Sequence, residues 1–383
     1  MMSVVIVILS LALMVVVLWD AFETIVLPRR VTRRVRLTSV YYGVIWPPWR
    51  AFCLAIKTRK RREAMLSIFG PLSMIALLAL WAVGLVFGFA LLHWALQTRL
   101  NVDGAAHGFG TYLYMSGVIF FTLGFGDVVP LLHAGRVLTV LEAGLGFGFL
   151  ALIIGYLPSI YQSFSAREVN ISLLDARAGT PPTAAELLRR HGRNGDMAAL
   201  NELLKDWERW GAELMESHLS YPVLCYFRSQ HDNQSWLAAL ATILDTCALV
   251  MVGIDGAPTW QAQLTFAMAR HAAVDLSQIL NTSPRRSAHF PDRLSVEEMT
   301  RLRASLAADR VPLRDGAEAD ERLAKLRGMY EPYMQALAAH LAMPLPPWIH
   351  AKDVVDNWQT SAWETQPQRV AQTVASVCRG DGR

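Results

Sequence analysis

The stretch Thr122-Leu123-Gly124-Phe125-Gly126-Asp127 places two glycines at alternate positions between a threonine and an aspartate. Glycine enters positive φ without steric cost, so a chain with glycine at every second residue can turn successive carbonyls to one side. Rings of such carbonyl oxygens can replace the hydration shell of a monovalent cation. Thr122 can add its hydroxyl at the inner end of the row, and Asp127 closes the outer end with negative charge. A glycine-rich turn in a soluble protein can show the same six residues. The elements on either side decide between the two.

Those elements are apolar. Residues 1–19 carry no charged side chain, nor do residues 64–98 apart from His93, and in residues 137–166 the only ionisable group besides tyrosines is Glu142. Runs of about 20 apolar residues suffice to cross the hydrocarbon core of a bilayer. Between the second and third runs, residues 108–130 read as a short apolar helix (Tyr112 to Phe121), the glycine-bearing segment and Pro130. This piece is too short and too broken to span. Irregular backbone at membrane depth persists only inside protein or against water, which describes a re-entrant loop.

The order helix, re-entrant loop, glycine segment, helix resembles the pore unit of the potassium channel superfamily, with a selectivity filter of the GFG rather than the GYG type. The resemblance covers residues 66–162. It implies a pore that conducts K⁺ passively, with the permeant ion held by the backbone carbonyls of Thr122, Leu123, Gly124 and Phe125, and no other cofactor. One re-entrant loop per chain cannot enclose an ion, so a homotetramer of closed symmetry is expected. The short helix would direct the negative end of its dipole at the ion path. Pro130 followed by Gly135-Arg136 is similar to the start of the inner helix in that family. Gly146 then falls at the position of a hinge glycine, with Phe147, Leu150 and Ile154 facing the cavity and Pro158 near the inner mouth. Close helix packing is the competing reading for Gly144, Gly146, Gly148 and Gly155, because membrane helices favour small residues at contacts.

Two residues depart from the family pattern. Phe125 lacks the tyrosine hydroxyl that could brace a filter, and Val118 stands where some members carry a glutamate that pairs with the filter aspartate. Asp127 must then find another partner, with Tyr112, Tyr114 and water as candidates. A K⁺-selective but less rigidly held filter is expected, and a weakly selective monovalent cation channel is the alternative. Glu142 is a further anomaly, since ionisable residues at membrane depth mark functional sites. Burial there disfavours the charged form, and both a structural and a pH-sensing role stay open.

Charge sets the expected orientation. Residues 24–62 hold eleven Arg or Lys and no acid, namely Arg29, Arg30, Arg33, Arg34, Arg36, Arg50, Lys57, Arg59, Lys60, Arg61 and Arg62. Basic loops stay in the cytoplasm, so the first helix is expected to run from outside to inside and the filter to open outward. The first run lacks a basic leader region and reads as a retained anchor, which suits a multi-pass protein of a bacterial inner membrane. Tyr41, Tyr42, Trp46 and Trp49 lie among these basic residues, a mixture suited to the headgroup layer. The stretch Arg29 to Arg62 is therefore a candidate contact for anionic lipids. Outside that loop, 25 of the 36 basic residues face all 32 acidic ones, which gives no reason to expect nucleic-acid binding. Cys53, Cys225, Cys247 and Cys378 lack paired spacing, and neither a disulfide nor a zinc site is indicated.

From about Arg167 the composition changes. The expected organisation is an all-α membrane protein: an anchor helix and basic loop (residues 1–63), a pore domain (64–165) and a helical cytoplasmic domain (166–383), with three transmembrane helices in all. Thr183 and Ser295 read as N-caps with an acid three residues on. Helices are predicted near 196–221, 233–254, 258–280 and 318–342. The run 236–254 is apolar enough to span, but Asp245 and the lack of basic flanks favour a buried core helix. His218, His231 and Asp232 could suggest a metal site, and Arg189, Arg190 and Arg193 near His191 an anion site. Ordinary helix-surface polarity explains both. A regulatory or tetramer-stabilising role is expected of this domain, with a ligand that the sequence does not name. It shows no nucleophile elbow, phosphate loop or paired carboxylates, so a non-enzyme is expected rather than a membrane-anchored enzyme or scaffold.

Overall fold

A computed structural model describes residues 2–27, 36–102, 108–194, 197–231, 233–284 and 292–350. The described residues are helical with no β-strand, and the chain divides into two compact units, Met1–Gln162 and Ser163–Arg383. The protein is an all-α membrane protein with a helical C-terminal region.

The first unit begins with α1 (Met2–Ala21), which runs on into a π-helical turn at Phe22–Val26. Then come α2 (Leu37–Ala55), α3 (Arg59–Ala95), α4 (Phe109–Phe120) and α5 (His133–Ala178), whose last residues belong to the second unit. Gly84 and Gly88 lie one turn apart on α3 and receive Val17 and Met14 of α1; a Cβ on Gly88 would stand 2.6 Å from the Met14 side chain. Small residues at this spacing let membrane helices approach closely. The same apolar core takes in Leu77, Trp81, Leu85 and Phe89 of α3, Phe120 of α4 and Phe149 of α5. The N-terminal helix is thus built into the core that carries the glycine segment.

A polar junction closes one end of this bundle. Asp20 is fully buried and accepts hydrogen bonds from Trp81 Nε1 (3.0 Å), Thr38 Oγ1 (2.6 Å) and the Thr38 amide (3.2 Å). The Thr38 amide is one of the orphan donors at the start of α2, so a side chain of α1 caps the next helix. Glu23 accepts from Trp19 Nε1 at 2.8 Å, and Arg36 reaches Glu23 and Thr24. Along α2, Tyr42, Trp46 and Trp49 pack on Phe69 of α3, with ring centroids 4.7–6.3 Å away. Val40, Val44, Phe52 and Leu54 of α2 are left exposed.

The second unit contains α6 (Ala184–Asn194), α7 (Met197–Ser220), α8 (Trp236–Gly253), α9 (Thr259–Ile279), α10 (Val296–Ala308), α11 (Ala317–Gly328) and α12 (Glu331–Leu341). By length and composition α8 joins α1, α3 and α5 as a candidate span. Its surroundings assign it otherwise. Sixteen of its eighteen residues are buried, against five of twenty in α1, and α6, α9 and α11 pack around it. It is the core helix of its unit, and α1, α3 and α5 are the other candidate spans. Ser295 and Glu298 form a full capping box before α10, whereas at α6 the Glu186 amide donates to Thr183 Oγ1 and the Glu186 carboxylate turns to Arg189 and Arg190.

One expectation is corrected. The single helix predicted over 318–342 is two helices, α11 and α12. Tyr330 leaves the helical path at φ −131°, and Pro332 falls in the first turn of α12. There its missing N–H leaves nothing unsatisfied, which is why proline suits a helix start.

Candidate functional site

The glycine segment is positioned by the way α4 ends. Thr122 stands just past the helix at φ +55°, its amide donates to Ile119 O (2.9 Å), and the Leu123 amide donates to Val118 O (2.8 Å). This pair of bonds is a Schellman motif, which calls for a left-handed residue at Thr122. Glycine is the usual occupant. A β-branched residue held there is an outlier of the kind that clusters at functional sites.

Left-handed backbone then recurs at alternate residues, with Gly124 at φ +61° and Gly126 at φ +76°. The segment from Thr122 to Asp127 is exposed on its own chain; Leu123 and Phe125 show 56% and 65% of their surface. A Cβ at Gly124 or Gly126 would meet no atom of the chain within 4 Å, so the glycines serve backbone conformation and not packing.

The far end of the segment is fastened by side chains. Tyr114 Oη donates to Asp127 Oδ2 at 2.7 Å, which makes Tyr114 the partner among the candidates named from sequence. Tyr112 instead donates to Thr98 O at 3.0 Å and packs with Ala90, Leu100 and Met115. Asn101 donates to Asp127 O (3.2 Å) and accepts from the Val129 amide (2.8 Å), while its own amide donates to Val129 O (3.1 Å). Sequence reasoning missed Asn101, which carries no local motif and meets its partners only across the folded loop.

The helix α5 presses on the same element from behind. A Cβ on Gly146 would lie 2.0 Å from Phe120 O, so only glycine lets α5 pass the end of α4. Gly144, Gly148 and Gly155 have open space at that position. Phe147, Leu150, Ile154 and Pro158 lie along one side of α5 and are exposed on the single chain. Glu142 is fully buried and contacts Ser116 of α4, with His93 Nε2 of α3 at 3.6 Å. Val118 is buried and apolar, and the bond to the aspartate comes from Tyr114, one turn earlier on the helix. Neither Ser116 nor His93 was singled out from sequence as a partner of Glu142.

In the second unit His218, Arg189, Arg190 and Arg193 have structural partners. Arg167 is buried and donates to His218 Nε2 (3.1 Å), Leu224 O (3.0 Å) and Phe227 O (3.0 Å). Burial, and then the charge of Arg167, hold His218 well below its ordinary pKa. Burial pushes the Cys225 thiol up to about 12, which leaves it unreactive as a nucleophile. Arg189 and Arg193 bind Asp309 at 2.5 and 2.7 Å. The hydrogen bond from Arg193 keeps the Asp309 carboxyl below the usual range. His231 is exposed, and Asp232 lies outside the described residues. Arg29, Arg30, Arg33 and Arg34 of the basic loop, and Cys378, also lie outside them.

A short helix ending in left-handed backbone lies between two long apolar helices of a multi-pass membrane protein. Residues 75–163 match the family model described as ion channel. The chain is also similar to an uncharacterized membrane protein, YdjJ, of Bacillus subtilis (strain 168), at 22% identity over 195 residues, covering 50% of this chain and 55% of that protein. The chain thus spans about half the length of this curated relative. No solved structure matches it.

Proposed function

We propose that the protein is a K⁺-selective channel that conducts passively through a homotetrameric pore. The observation that carries the reading is the left-handed backbone at Thr122, Gly124 and Gly126, the conformation that lets successive carbonyls share a side. The exposure of Leu123, Phe125 and Phe147 on the single chain supports assembly, because these surfaces would be covered or lined by other copies. In the tetramer, the carbonyls of Thr122, Leu123, Gly124 and Phe125 would hold the ion, and Phe147, Leu150, Ile154 and Pro158 would line the path beyond it. Basic residues between α1 and α3 support a cytoplasmic location for that loop and a contact with anionic lipid, with Asp127 outward in the cell membrane. The C-terminal helical unit would regulate or stabilise the tetramer.

Reversal potential in planar bilayers, with K⁺ on one side and Na⁺ on the other, tests this. The expected value lies near the K⁺ equilibrium potential and is lost in Gly124→Ala, because alanine at φ +61° is strained by roughly 1–2 kcal/mol. A reversal near zero in the wild type would favour the weakly selective channel, the reading that the missing hydroxyl of Phe125 supports.

A further inference from the structure

The segment that leaves α3 runs beside the segment that leaves the glycine row. Leu100 and Pro130 pair as an antiparallel bridge, with the Asn101 amide bonded to Val129 O (3.1 Å) and the Leu131 amide to Arg99 O (2.9 Å). Both segments are anchored to helices. The Thr98 carbonyl accepts from Tyr112 of α4 at 3.0 Å, and the Thr98 hydroxyl lies 3.1 Å from His93 Nδ1 of α3. Leu100 is buried with Ala90 of α3 and Met115 of α4, and Val128 packs against the same cluster. A Cβ on Gly135, near the start of α5, would lie 2.6 Å from Thr98 Cγ2 and 2.9 Å from Pro130 Cβ, so that helix closes tightly on both segments.

Asn101 stands at the end of this strap and turns its side chain across the gap. Its Nδ2 donates to Asp127 O (3.2 Å), and its Oδ1 accepts from the Val129 amide (2.8 Å). A backbone carbonyl only accepts and a backbone amide only donates, so these partners fix which way the carboxamide points. Asp127 is thereby held from two elements. Tyr114 of α4 binds its carboxylate at 2.7 Å, and the strap binds its carbonyl.

We infer that Asn101 is a positioning residue for the ion-binding row, fixing the peptide at its far end so that the preceding carbonyls keep their alignment. Selectivity among monovalent cations depends on how carbonyl dipoles are held around the ion. Without Asn101, Asp127 keeps its side-chain bonds to Tyr114 and to the Val128 amide, but its carbonyl loses the strap. Gly126, at φ +76°, sets little steric limit on rotation of the backbone there. The row then loosens at the end where the chain leaves it. This inference rests on the channel reading.

The test is thermal melting of the full chain in detergent, in K⁺ and in Na⁺ at equal ionic strength. An ion that binds only the folded state raises the melting temperature, so the wild type should melt higher in K⁺. Asn101→Ala should lose this K⁺ increment. Asn101→Asp should lose it too, because a carboxylate still accepts from Val129 but cannot donate to Asp127 O. Asp20→Ala, at the junction of α1, α2 and α3, should melt earlier in both salts yet keep the increment, which separates ion binding from general stability. In planar bilayers the K⁺ over Na⁺ permeability ratio of Asn101→Ala should fall about tenfold, the order expected for two lost hydrogen bonds. An increment or a permeability ratio in Asn101→Ala equal to that of the wild type would overturn the inference and leave the channel reading intact. Loss of the increment in Asp20→Ala would also count against it, since the increment would then follow stability alone. A wild type that melts alike in both salts would overturn the K⁺-selective reading itself, and this inference with it.

Discussion

Thr122 holds a conformation that glycine adopts freely and a β-branched residue does not, at a cost of roughly 1–2 kcal/mol. Threonine in that place offers a hydroxyl next to the first carbonyl of the row, which is the physical gain that can offset the strain. Gly146 is held in place by the opposite constraint, since its φ is ordinary but its space is not. Gly146→Ala would set a Cβ 2.0 Å from Phe120 O. Overpacking of this kind costs about 1–3 kcal/mol, so the variant is expected to melt earlier in detergent and, on the proposed channel reading, to lose K⁺ flux as α4 shifts. Gly144→Ala, with open space around its Cβ on the same chain, is the control and should melt like the wild type. Equal melting of both variants would mean that α5 does not pass α4 so closely. The glycine spacing and the need to pair Asp127 were legible in sequence as local facts, and Tyr114 was one of three candidate partners for that aspartate. The partners of Glu142 were not. Ser116 and His93 lie 26 and 49 positions before it, and no short pattern signals that three helices bring them together.

Among the elements, the membrane helices were readable from length and charge, and their docking was not. The Gly84–Gly88 groove that seats Val17 and Met14 depends on which face of α3 turns toward α1. A strongly apolar helix gives little amphipathic signal for that choice. Asp20 is the carboxylate that bonds to both α2 and α3 at the junction of the first three helices. Asp20→Ala would leave Trp81 Nε1 and the Thr38 amide without their acceptor, and hydrogen bonds to a charged group carry about 1.5–3 kcal/mol. The expected outcome is a lower melting temperature of the purified protein, with Asp20→Asn intermediate because its carbonyl still accepts. An alanine variant that melts with the wild type would show that α2 is held by its aromatic contacts with Phe69 and not by the cap. The break between α11 and α12 was legible in principle, since Pro332 inside a predicted helix marks a start or a stop. The amphipathic pattern on both sides of it hid the boundary.

At the scale of the whole molecule, the decision between three and four membrane spans turns on α8. Its sequence is apolar enough for either environment, and only its neighbours separate the two. Asp245 gives the sharpest argument. It is fully buried in the middle of α8, with Arg293 Nη2 at 2.6 Å and Tyr330 Oη at 2.5 Å. Arg293 extends the network to Glu331 at 3.3 Å and lies over the Trp348 ring at 5.8 Å. These partners come from outside α8 and from a highly charged part of the chain, so a span at α8 would tear the network apart and leave Asp245 in hydrocarbon. Residues 163–383 produced alone are therefore expected to be soluble and helical; recovery in the membrane fraction would restore the fourth span. In that soluble unit Arg293→Met should lower unfolding free energy by about 3–5 kcal/mol, the cost of stranding a buried charge. Asp245→Leu combined with Arg293→Met removes both charges and should recover a large part of that loss. If the double variant is instead as unstable as the sum of the two single ones, the pair is not coupled, and Asp245 is held by Tyr330 without help from Arg293.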